Sequence, residues 1–289
     1  MRWTPGGRSD NLEDDRGASG GGGGGGFGRI GIVGVVLALV IGVATGRNPL
    51  EILGIMQQVT GGANTPASSG PPAPVKDPAE ERTVQFVSFV LDDAQATWRK
   101  TFAAAGKPWR DAKLVLYRDG VTSGCGEAQS AMGPFYCPAD EKIYLDLAFY
   151  HELSTRFGAP GEFAEAYVLT HELGHHVQTL LGTNDKVRQL QQRRPDLANQ
   201  VSVRLELQAD CYAGVWGHSS EQRQLLDPGE AKEGLAAAAS VGDDRLQKEA
   251  TGTIHPESFT HGSSQQRMDW FQRGFQQGRI DSCDTFAGS

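Results

Sequence analysis

The pentad His171-Glu172-Leu173-Gly174-His175 constrains this chain more than any other feature, because it lies in an apolar run (Phe163, Ala166, Tyr167, Leu173, Val177, Leu180) with helical spacing. On a helix, residues four apart share one face, so both imidazoles can reach a single tetrahedral cation while Glu172 stands beside it without binding. The fold must therefore bury this helix and bring it a third donor from another element. Arg204-Leu-Glu206-Leu-Gln-Ala-Asp210 offers one, since Glu206 and Asp210 are again four apart on a predicted helix. Glu206 can complete a His171, His175, Glu206 set suited to Zn2+. Asp210, one turn on, can accept the outer N–H of His171 and fix its tautomer.

The rest of the chain reads as a scaffold for that pair of helices. Val87, Val90, Leu91, Ala94, Trp98 and Phe102 predict a long helix from about residue 78 to 105. Lys113–Tyr117 and Lys142–Leu147 read as short strands, and from Glu162 onward helices are broken at Gly182, Pro195, Pro228 and Gly252, with a last one from about Ser263 to Gly278. The class expected is α+β, mainly helical with a small β-sheet, for residues 79–289.

The first third reads differently. Residues 30–46 are apolar and uncharged between Arg29 and Arg47, which predicts a single transmembrane signal-anchor; a cleaved secretory signal is the alternative, given Ala44-Thr-Gly46. Arg2, Arg8, Arg16 and Arg29 precede the span, so the positive-inside rule puts residues 1–29, a Gly-rich leader expected to be disordered, in the cytoplasm. Residues 47–78 form a Pro/Ser/Gly-rich linker. The expected location is the inner membrane, with the folded domain on the periplasmic side. With 27 Lys+Arg against 35 Asp+Glu, the net charge of −8 leaves no basic excess for a nucleic-acid partner.

Cys125 and Cys137 flank a Gly/Pro-rich turn, and Cys211 and Cys283 are the remaining pair. In an exported domain an even count favours two disulfides, and the C-x-x-C pairs of a second zinc site are missing. His176 lies about 100° round the helix from His175 and is expected to pack or cap. His151-Glu152 has Thr155 where a second His would stand, and His218 and His255 carry no spacing signal.

Taken together, Arg2-Trp3, Ser9-Asp-Asn-Leu-Glu-Asp14, Gly133-Pro-Phe-Tyr-Cys-Pro138, Tyr144-Leu-Asp146, Tyr167-Val-Leu-Thr-His-Glu-Leu-Gly-His-His-Val-Gln178, Glu206-Leu-Gln-Ala-Asp-Cys-Tyr-Ala-Gly214 and Ser258-Phe-Thr-His-Gly-Ser-Ser264 resemble the bacterial neutral zinc metallopeptidase family. That family is thermolysin-like, with a glutamate as third ligand. The resemblance covers nearly the whole chain and implies a zincin-like, metal-dependent hydrolase; joined to the anchor read from residues 30–46, the function expected is a membrane-anchored endopeptidase acting on a peptide or protein substrate. In it, zinc on His171, His175 and Glu206 acidifies water, and Glu172, the general base, takes the proton and passes it to the leaving amine. His261, Tyr144 or Tyr136 would steady the oxyanion, and the strand Ile143 to Leu147 would pair with extended substrate. The competing reading is a membrane-anchored binding or scaffold protein on an inactive fold with structural zinc. Intact Glu172 argues against it.

Overall fold

Pro78 opens helix α1 (Pro78–Ala104), where its fixed φ and missing N–H suit the first helical turn and where Glu80 and Glu81 meet the positive end of the helix dipole. The computed structural model describes residues 1–17 and 78–287. Val84, Val87, Leu91, Ala94, Trp98 and Phe102 line one side of α1 and are buried in the main core.

The described residues include six short strands. They are β1 (Leu12–Asp14), β2 (Lys113–Tyr117), the hairpin β3 (Gly120–Ser123) and β4 (Gly126–Gln129), β5 (Phe135–Cys137) and β6 (Lys142–Asp146). The main sheet has the order β1-β2-β6-β5, with β1, β2 and β6 parallel and β5 antiparallel to β6. Helices α2 (Ala148–Thr155), α3 (Glu162–Leu180), α4 (Thr183–Arg193), α5 (Ala198–Gln222), α6 (Ala231–Ser240), α7 (Asp243–Thr251) and α8 (Ser264–Gln277) complete a mainly helical α+β fold.

Two glycines set the spacing of α5 against α8. A Cβ on Gly274 would overlap the Cys211 carbonyl, and one on Gly214 would overlap the Phe271 carbonyl, so these backbones touch as no larger residue would allow. Ser263 starts α8 with a capping box, its hydroxyl accepting from the Gln266 N–H while the Gln266 side chain accepts from the Ser263 N–H. Both expected disulfides are present: Cys125–Cys137 with Cα atoms 5.8 Å apart, and Cys211–Cys283 with Cα atoms 5.6 Å apart.

The amino-terminal residues correct the sequence reading. Instead of a disordered leader, residues 1–16 run along the domain as a strap. Leu12–Asp14 pairs in parallel with Leu114–Leu116. The Trp3 ring packs on Phe86 and Phe89, lies 5.2 Å from the Arg82 guanidinium, and donates from Nε1 to Glu162 Oε2 at 3.1 Å. Ser9 donates to Asp92 at 2.5 Å, and buried Arg16 is clamped by Asp14 and Glu80. Polar residues that look like a solvated leader are thus satisfied by partners far along the chain.

This packing also overturns the expected fold headed by a membrane-spanning helix and the single-pass inner-membrane location. Among the described residues no helix is long and apolar enough to cross a membrane. Residues 30–46 and the 47–77 part of the linker lie outside the described residues. A single crossing between residues 17 and 78 would put β1 and β2 on opposite faces of a bilayer, and they are neighbours in one sheet. A cytoplasmic leader with a periplasmic domain is therefore not this arrangement.

Replacing Trp3 with Ala is expected to cost about 2 kcal/mol of stability through lost ring burial and stacking. Urea unfolding of the full chain checks this; an unchanged midpoint would contradict the docked strap.

Candidate metal centre

Helix α3 carries the pentad because its apolar positions recur on the face turned to the core, and Gly174 lets α5 come close, its missing Cβ facing the Ala209 backbone. His171 and His175 stand one turn apart with ring centres 4.9 Å apart. Across from them on α5, Glu206 places Oε2 3.2 Å from His171 Nε2 and Oε1 3.5 Å from His175 Nε2. One ligand atom from each of the three residues lies within 4.8 Å of the others. Sequence spacing placed these side chains on their helices, and the structure brings them together.

The outer nitrogens of both rings are tied down. His171 Nδ1 is 2.8 Å from Asp210 Oδ1, and His175 Nδ1 is 2.9 Å from Gln178 Oε1. With Nδ1 committed to these outer partners, Nε2 is the ligand nitrogen of each ring, and both histidines turn it toward Glu206. Asp210 is fully buried and also accepts from the Tyr167 hydroxyl at 2.5 Å and from Arg267 Nε and Nη2 at 2.8 and 2.9 Å.

The electrostatics describe a cradle for a cation. Burial opposes charge throughout, yet Asp210 and Glu206 hold the His171 imidazolium up at about 10. Burial likewise raises Asp210, but Arg267 and His171 draw it down to about 2. Glu206 is pulled well below the carboxylate range by the histidines, against its own burial. Glu172 goes the other way: burial raises it, and the nearby histidines only partly offset the effect. Glu172, Glu206 and Asp210 thus face one buried guanidinium, Arg267. Two imidazole nitrogens and a carboxylate form a borderline-soft set that fits zinc.

The same charges predict a linked proton. Without a cation His171 is protonated at pH 7, so zinc uptake must displace that proton, and affinity should rise with pH. Calorimetric titration at pH 7 in buffers of different ionisation enthalpy should show release of about one proton per zinc. Release of none would contradict the charge state derived for the pocket.

Other expected residues fall elsewhere. Tyr144 donates to Asp140 at 2.7 Å and stacks on Phe135, while the Tyr136 hydroxyl lies 3.0 Å from His176 Nδ1. His176 is fully buried and pairs through Nε2 with the Arg110 carbonyl, a packing residue as its helix angle suggested. His261, the third donor considered, is raised by its bond to Asp243 and by the Glu206 charge, against its own burial. Its Nδ1 lies 3.2 Å from Asp243 Oδ1, and Asp243 Oδ2 accepts the backbone N–H groups of Thr260, His261 and Gly262. The strand Ile143 to Leu147 is interior to the sheet, flanked by β2 and β5, so its hydrogen bonds are used; among the described residues the edge strand on that side is β5.

Residues 1–286 match the family described as "Putative neutral zinc metallopeptidase". The chain belongs to this family. It is 46% identical over 292 residues to the uncharacterized protein YpfJ of Escherichia coli strain K12, covering 100% of both chains. It is 43% identical over 209 residues to the uncharacterized proteins Mb2605 of Mycobacterium bovis and Rv2575 of Mycobacterium tuberculosis strain H37Rv, covering 68% of this chain and 69% of theirs. No solved structure matches the chain. Membership in a zinc metallopeptidase family agrees with the donor set. Sequence reasoning gave no role to Arg267, Tyr167, Gln178 or Gln208. Arg267 and Tyr167 meet Asp210 from 57 and 43 positions away, a distance that no local pattern encodes.

Proposed function

We propose that this chain is a zinc-dependent endopeptidase whose metal is held by His171, His175 and Glu206. The observation that carries the reading is the convergence of both Nε2 atoms and the Glu206 carboxylate, with buried Glu172 beside them. When bound, zinc supplies Lewis acidity that lowers the pKa of water and polarises a peptide carbonyl. Glu172, lifted by burial, accepts the proton of the attacking water and delivers it to the departing amine. Asp210 and Gln178 hold the two rings in register, and Arg267 balances the Asp210 charge. His261, held by Asp243, is the donor we assign to the developing oxyanion, and β5, the edge strand of the sheet, is where an extended peptide would pair.

Hydrolysis of casein by the purified full chain tests the reading. Activity should vanish on chelation and return with stoichiometric zinc. Activity that survives chelation, or that is absent from zinc-loaded protein across a panel of unfolded substrates, would overturn it.

A further inference from the structure

We propose that Gln178 and Gln208 are positioning residues that set the tautomer of His175 from the backbone of Cys283, making the Cys211–Cys283 disulfide a determinant of metal affinity. The proposal rests on the metal reading above, in which Gln178 holds the His175 ring, and adds Gln208 and the Cys211–Cys283 bridge as what fixes Gln178.

The observation is a buried chain of hydrogen bonds with one possible polarity. Gln208 Nε2 donates to the Cys283 carbonyl at 3.0 Å. Gln178 Nε2 donates to Gln208 Oε1 at 3.1 Å and to the Leu205 carbonyl at 2.7 Å. Gln178 Oε1 faces His175 Nδ1 at 2.9 Å. Both glutamine side chains are buried, so water does not replace a lost partner. The two terminal carbonyls can only accept. Each amide must therefore turn its NH2 toward them, which leaves Gln178 Oε1 as an acceptor, and His175 must donate from Nδ1. Turning Gln208 over would set oxygen against oxygen at Cys283 and nitrogen against nitrogen at Gln178, and turning Gln178 over would set its oxygen against both the Leu205 carbonyl and Gln208 Oε1. His175 is thereby left with its lone pair on Nε2, the atom that faces Glu206.

The other ligand ring leads to the same bridge by a shorter route. His171 Nδ1 bonds Asp210, and Cys211 is the next residue on α5. The bridge spans 72 positions and pins the turn at Ile280–Cys283 against α5, where Thr285 also donates to the Arg204 carbonyl at 2.7 Å. The outer hydrogen bonds of both histidines thus converge on Cys211–Cys283, one through a neighbour in sequence and one through two amides. The Cys125–Cys137 bridge takes no part in this chain.

Zinc dissociation constants of the full chain, measured by chelator competition at fixed pH, test the proposal. Gln178→Leu should weaken binding by about 10- to 100-fold, the usual effect of losing an outer-shell partner. Gln178→Glu keeps an acceptor for His175 Nδ1 and should stay within about 3-fold of wild type on the same scale. A mere packing role predicts equal losses, since both variants forfeit the bonds to Leu205 and Gln208; equal losses would overturn the proposal. Gln208→Leu and the Cys211→Ser, Cys283→Ser pair should each weaken binding, and combining them should add little, because both cut one chain. Losses that multiply would also overturn it. Should the cysteine variant not fold, the Gln178 pair decides alone. A wild-type chain that binds no zinc at all would instead remove the metal reading beneath the proposal, a result distinct from either.

Discussion

Replacing Glu172 with Gln is expected to lower peptide hydrolysis by about 10²- to 10⁴-fold, the range that a positioned acid–base group contributes. The amide keeps the shape of the carboxylate but cannot accept the proton of water, so metal content should be unchanged while turnover collapses. The prediction separates Glu172 from the ligand residues, whose loss should empty the site. Rates measured on zinc-loaded wild type and variant, with zinc determined in the same samples, check both points. A variant retaining more than about a tenth of the activity would contradict the assigned role.

The second large effect is on stability. Arg267 is buried and grips Asp210 through Nε and Nη2, and its Nη2 also lies 3.1 Å from the Tyr167 hydroxyl. Arg267→Leu would leave the Asp210 carboxylate buried without its main counter-charge, at a cost of about 3–5 kcal/mol. Arg267→Lys keeps a charge but loses the planar fork, and should fall between wild type and Leu. Denaturant unfolding of metal-free protein measures the ranking. A loss below about 1 kcal/mol for Arg267→Leu would show that the ion pair is not what holds α3, α5 and α8 together here.

The parts of this protein legible in its sequence are those encoded locally. The stripe of α1, the pentad on α3 and the Glu206/Asp210 spacing on α5 each follow from helical periodicity, which is a property of neighbours. Long-range pairing was out of reach. Strand order is one such case: Ile143 to Leu147 reads as a strand, but only the partners at 114–116 and 135–137 show that it is interior. The amino-terminal strap is another, because Arg8 and Arg16 look solvated until Asp14, Glu80 and Glu81 are seen to meet them. Arg267 follows the exposed Gln265 and Gln266 on its helix, and its burial goes with the close approach of α5 and α8 at Gly214 and Gly274, which no local pattern encodes.

The central claim is that His171, His175 and Glu206 form one zinc centre, and elemental analysis of the purified full chain tests it most directly. The wild type should hold about one zinc per chain, and His171→Ala, His175→Ala and Glu206→Ala should each lose it, since a catalytic site built from three protein ligands does not survive the removal of one. Full zinc occupancy in any of the three variants, or none in the wild type, would contradict the claim.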